Sequence, residues 1–145
     1  EPMPKHIECH KKNCEGLDNV VLNEIALSNV NEQKVMTTKD NNSGMSTLMT
    51  PKWKLPKTIV PIETRTLDSY NFPKVDFIKI DVEGWEEQVL RGGMDTILKY
   101  RPRMYIEIWP KQYEKISNML WAMQYTLQEI GKDNYICEPD PRVVP

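Results

Sequence analysis

The run Asp76-Phe77-Ile78-Lys79-Ile80-Asp81-Val82 constrains this chain more than any other stretch. In an extended backbone its apolar residues face both ways, so only a strand covered on both faces would bury them. The spacing predicts a central parallel strand. Glu83-Gly84 then interrupts the extended pattern, because glycine reaches backbone angles that other residues avoid. From Trp85 to Arg91 the residues Trp85, Val89 and Leu90 recur at helical spacing, until Gly92-Gly93 ends the run. A strand, a sharp turn and a helix form the building unit of a layered α/β fold.

The flanking segments supply more such units. Pro4 to Glu15 reads as a short amphipathic helix closed by Gly16, and Val20 to Ala26 and Val30 to Met36 read as strands on either side of Ser28-Asn29. Thr37 to Lys57, centred on Asp40-Asn41-Asn42-Ser43-Gly44, reads as a long polar loop. Ile59 to Thr66 is β-rich. A helix over Asp95 to Tyr100 stops before Pro102, a buried strand follows over Arg103 to Trp109, and a helix over Lys111 to Met123 carries Tyr113, Ile116, Leu120 and Met123 on one side. Tyr125 to Ile130 and Tyr135 to Glu138 suit a hairpin, although a longer helix to Ile130 fits the pattern nearly as well. The order predicts an α/β sandwich with a mostly parallel sheet and an antiparallel edge hairpin.

Composition narrows the function. The 145 residues suit one domain, and 19 basic against 21 acidic residues leave no basic face for nucleic acid. No apolar run is long enough to span a membrane, and no signal peptide is visible. Three cysteines do not make a disulfide framework, which suits a reducing compartment and a cytoplasmic location. The first residue is Glu1 rather than Met, so the chain reads as a fragment or a processed product.

Ligands of open α/β sheets bind where strands end, which directs attention to the acids there. Lys79, Asp81 and Glu83 stand at alternate positions and point to one side while the chain stays extended, with Lys79 placed to neutralise one acid. The bland alternative is that Asp81 and Glu83 cap the following helix. Glu107, within Tyr105-Ile106-Glu107-Ile108-Trp109, is a lone strand carboxylate that either belongs to the site or pairs with an arginine such as Arg103. His6, Cys9, His10 and Cys14 include a helical face that suits zinc, but their spacing matches no standard finger, and an ordinary helix surface explains them equally. No metal is expected. Neither G-x-G-x-x-G nor G-x-x-x-x-G-K-[ST] occurs in the chain.

Thr66-Leu67-Asp68-Ser69-Tyr70, Val75 through Glu86 with its K-I-D-V-E-G core, Val89-Leu90-Arg91-Gly92-Gly93, Arg101-Pro102 and Ile106-Glu107 together closely resemble the FkbM family of S-adenosylmethionine-dependent methyltransferases. Glu1-Pro2 and Asn19-Val20 through Ala26-Leu27-Ser28 resemble the ends of that family's second and third strands. The resemblance covers Glu1 to about Glu138. It implies a Rossmann-like sandwich, truncated at its N-terminus, whose first strand and glycine-rich turn would lie before Glu1. It further implies that S-adenosylmethionine is the cofactor, with Glu1 on its ribose hydroxyls, Ala26, Leu27 and Ser28 beside the adenine, and Asp81 beside the sulfonium. Asp81 or Glu83 would be the general base, with Lys79 tuning it, and Glu107, Trp109 and Ser43 would border the acceptor. The acceptor would be a hydroxyl of a small molecule or glycan. A chain short of the glycine turn would be inactive alone, and a non-catalytic interaction module derived from the same fold is the competing expectation.

Overall fold

A computed structural model describes residues 1–39, 42–48 and 57–142, the side chains at 39, 42–45 and 57 excepted. Helix α1 (Pro4–Asn13) opens the chain, with Pro4 in the first turn, where its missing N–H costs nothing. Strands β1 (Ala26–Leu27), β2 (Glu32–Lys39), β3 (Asn42–Thr47) and β4 (Lys57–Arg65) follow, then a single 3-10 turn over Asp68–Tyr70. The second half runs β5 (Phe77–Ile80), α2 (Glu86–Gly92), α3 (Met94–Tyr100), β6 (Arg103–Glu107), α4 (Pro110–Ala122), β7 (Tyr125–Gly131) and β8 (Asn134–Pro139).

These strands do not form one mostly parallel sheet. They form two four-stranded sheets in the orders β1-β4-β2-β3 and β5-β6-β8-β7. Among the described residues only β1 with β4 and β5 with β6 run parallel. The pairs β2/β3, β2/β4, β6/β8 and β7/β8 are antiparallel, so the expected Rossmann-like, mostly parallel sandwich is not what this chain builds. Polar composition predicts a loop from Thr37 onward, but β2 continues to Lys39 in register with β4, pairing Glu32 with Thr64 through to Lys39 with Lys57. The β-branched Thr37 and Thr38 favour that extension, and β3 then folds back on β2. The apolar run at Phe77–Ile80 predicts a central parallel strand; it does run parallel to β6, yet it is an edge strand with β6 as its one partner among the described residues. Phe77 is accordingly 54% exposed.

The larger core lies in the second half. Ile80, Leu90, Ile97, Met104, Ile106, Ile108, Ile116 and Leu120 pack there with Tyr125 and Cys137. Burying a side chain of this size contributes about 1.5–3 kcal/mol. A smaller cluster of Met3, Ala26, Met36 and Ile62 anchors α1 to the first sheet. Asp68 connects the 3-10 turn to α3, accepting the backbone N–H groups of Asp95 (3.2 Å) and Thr96 (2.8 Å), donors that a helix start leaves unpaired. Arg101 sits in a left-handed conformation (φ 52°) at the end of α3, and its guanidinium donates to the carbonyls of Met123 and Gln124 after α4.

Candidate functional site

The chain leaves β5 at Ile80, and the turn that follows carries the two acids. Asp81 Oδ2 accepts a hydrogen bond from Lys79 Nζ at 2.8 Å. Glu83 reaches the same side by a different route from strand alternation: its own backbone is left-handed (φ 53°), as is that of Gly84 (φ 95°). A non-glycine residue in that region costs roughly 1–2 kcal/mol and needs surrounding contacts to hold it. Thr47 Oγ1 from β3 donates to the Glu83 carbonyl at 2.9 Å, and Gln112 Nε2 from α4 donates to the Gly84 carbonyl at 2.8 Å.

Asp81 and Glu83 both open onto a cleft of about 670 Å³, within the range usual for small-molecule sites. Glu1, His6 and His10 line it from the α1 side, Ala26 and Leu27 from β1, and Met36, Ser46 and Leu48 from β2 and beyond. Leu67, Tyr70, Phe72, Val82 and Trp85 complete its apolar wall. Tyr70 and Phe72 stack with centroids 5.4 Å apart. The Trp85 indole N–H donates to Ser28 Oγ at 3.2 Å, so Ser28 is fully buried behind the wall and does not line the cleft.

Electrostatics separates the two acids. Burial raises the Glu83 carboxyl above its usual value, and the neighbouring Glu107, Asp81 and Glu86 raise it further. Among the described residues its carboxylate has no ion pair and no hydrogen bond, whereas Asp81 is engaged by Lys79. Glu1 spends its Oε1 on the Met3 N–H (2.8 Å) and lies 3.4 Å from His6 Nδ1.

Other sequence expectations fall outside this cleft. Glu107 and Trp109 do not line it, and Arg103, the suggested partner of Glu107, pairs instead with Glu138 at 2.8 Å. Ser43 lies in β3, where its side chain is outside the described residues. The described residues bring together no metal-holding group of three or more His, Cys, Asp or Glu side chains. Helix α1 ends at Asn13, with Cys14 as its C-cap. No helix among the described residues is long and apolar enough to cross a membrane.

Sequence reading missed Glu86. Two residues after Gly84 it looks like an ordinary acid favoured in a first helical turn, yet it is fully buried. Neither Asp81 nor Glu83 caps α2; Glu86 Oε1 accepts the N–H groups of Gly84 (3.0 Å) and Val82 (3.3 Å).

The family model of the methyltransferase FkbM domain matches residues 1–133. Among solved structures, the methyltransferase FkbM from Methylobacillus flagellatus KT aligns over 92% of this chain with 14% identity and a TM-score of 0.56. That likeness concerns the fold. The chain spans 31% of the length of that protein. No curated protein matches it.

Proposed function

This chain belongs to the FkbM methyltransferase family, and on that premise we propose that its cleft binds S-adenosylmethionine and serves methyl transfer to a hydroxyl of a small molecule or glycan. Members of the family depend on that cofactor. The observation that carries the reading is the convergence of Glu1, Ala26, Leu27, Asp81 and Glu83 on one cleft. The fit is reasonable: an apolar wall with Trp85, Tyr70 and Phe72 suits a purine, and a carboxylate such as Glu1 can accept two adjacent hydroxyl protons. When bound, the cofactor supplies a methyl group made electrophilic by a sulfonium.

The residues of the chain divide the remaining work. A hydroxyl is a weak nucleophile until a positioned base takes its proton. Glu83 suits that task because both its oxygens are uncommitted and burial has made it more basic. Asp81, fixed by Lys79, is better placed to orient a cationic or hydroxyl group. The half-buried wall excludes water from part of the cleft, which strengthens these interactions.

Amide shifts on titrating S-adenosylhomocysteine into the ¹⁵N-labelled 145-residue chain test this reading, since NMR detects even millimolar affinity. Perturbations concentrated at Glu1, Ala26, Leu27 and 81–85 are expected. Perturbations absent, or confined to the far side of β7 and β8, would overturn it.

A further inference from the structure

We propose that Glu86, assisted by Gln112, is a positioning residue that holds the Val82–Gly84 turn so that the Glu83 carboxylate faces the cleft. The inference rests on the reading of Glu83 as proton acceptor. Glu86 is 0% exposed, and its Oε1 grips the turn twice, through the N–H groups of Val82 and Gly84. Gln112, on a different helix, holds the next peptide unit by donating to the Gly84 carbonyl at 2.8 Å. Thr47 holds the Glu83 carbonyl from the first sheet. Polar groups of a turn with two consecutive left-handed residues are thus pinned from three separate elements.

Simple helix capping does not require this arrangement. A solvated Ser or Asp would cap α2 equally well, whereas burying a carboxylate is costly unless it is paired or neutral. No cation pairs with Glu86 among the described residues, and its Oε2 and the Oε1 of Gln112 have no hydrogen-bond partner. Burial raises the Glu86 carboxyl, with nearby Glu107 adding to that rise against the lowering effect of the backbone N–H groups. What the two N–H groups of the turn need is one acceptor oxygen in this place, and a neutral amide oxygen supplies it as a carboxyl does. The grip is therefore retained by an amide of the same shape.

The test follows the ¹³C carboxyl resonance of Glu83 through a pH titration in the full chain, with S-adenosylhomocysteine affinity measured in parallel. Glu86→Gln should leave the Glu83 midpoint above the ordinary Glu range, lowered only by the loss of the Glu86 charge and less than in Glu86→Ala, and the affinity within about threefold. Glu86→Ala should lower the midpoint toward the ordinary Glu range, because the released side chain becomes hydrated. A folded Glu86→Ala protein with an unchanged Glu83 midpoint overturns the proposal. If that variant does not fold, Gln112→Ala removes the hold on the Gly84 carbonyl alone and must lower the midpoint; an unchanged midpoint there overturns it equally. Failure of S-adenosylhomocysteine to bind the wild type would count against the cofactor reading, while the Glu83 midpoint would still decide the role of Glu86.

Discussion

The carbonyl oxygen of Ser28 lies where a side chain on Gly92 would have to go: a Cβ built at Gly92 falls 1.9 Å from it. Helix α2 therefore presses backbone to backbone against the end of β1, and the Trp85 to Ser28 hydrogen bond clasps the same junction. That contact ties the second sheet to the first beside the cleft.

Gly92→Ala should consequently destabilise the chain by about 1–3 kcal/mol, the usual cost of forcing a methyl group into packed backbone. Urea denaturation would show it as a lower midpoint with an unchanged slope. Gly93→Ala should be milder, since its Cβ would meet the flexible Leu67 side chain at 2.9 Å. Equal stability of Gly92→Ala and wild type would mean that α2 and β1 are not in this close contact.

The second half of the fold was more legible in the sequence than the first, for physical reasons. Ile116, Leu120 and Met123 mark α4 because helical periodicity and burial coincide, and Gly131 through Asn134 mark a turn between two strands. A central position was inferred from Phe77-Ile78-Lys79-Ile80, and there the reasoning failed, although β5 does run parallel to β6. Apolar residues on both faces speak of cover above and below the sheet and not of strands on both edges, and among the described residues β5 has one strand neighbour. Residues 37–39 and 42–47 were illegible because polar composition resembles a loop, while pairing of β2 with β4 and of β3 with β2 makes them strands. At the site, Asp81 and Glu83 share one cleft as expected, but a left-handed turn and not strand alternation brings Glu83 there, and the burial of Glu86 could not be read from the sequence.

With methyl transfer to a hydroxyl acceptor as the assay, in a protein that also carries the glycine-rich turn of the family, Glu83→Gln should lower kcat by about 10²–10⁴, the range for loss of a general base, with cofactor affinity changed little. Asp81→Asn should cost less in kcat and more in KM if Asp81 orients rather than deprotonates. The acid limb of the pH profile should follow Glu83 and sit above the ordinary Glu range, because only the ionised form accepts a proton. Loss of that limb in Glu83→Gln checks the assignment. Rates within a few fold of wild type for both variants would remove the base from this cleft.

Cys137 offers a test of the core. It is fully buried in β8 and burial pushes its thiol up to about 12, while Cys9 on α1 is exposed. At pH ~8 only about one part in ten thousand of Cys137 would be thiolate, the reactive form. A disulfide reagent should label Cys9 rapidly and Cys137 only on unfolding, so that its rate reports global stability. Fast labelling of Cys137 in the folded chain would show that β6 and β8 do not cover it.

Glu87 pairs with Arg91 one turn on along α2 and with Lys115 of α4, each at 2.8 Å, and its side chain is 14% exposed. Burial alone would raise its carboxyl, but the hydrogen bonds and charges of Lys115 and Arg91 outweigh it and leave the group below its usual value. A carboxyl depressed in the folded state stabilises the fold when ionised. That contribution is present above the unfolded-state value of about 4.3 and is lost as the pH falls through the lower folded-state value. Glu87→Gln should therefore cost about 1 kcal/mol at neutral pH and little at pH ~2, where wild type and variant are both neutral at this position. Because both cations are largely solvated, about 1 M salt should shrink the neutral-pH difference. Urea midpoints of the two proteins at both pH values check the sign: a penalty that persists unchanged in acid would assign the effect to packing of Glu87 rather than to its charge.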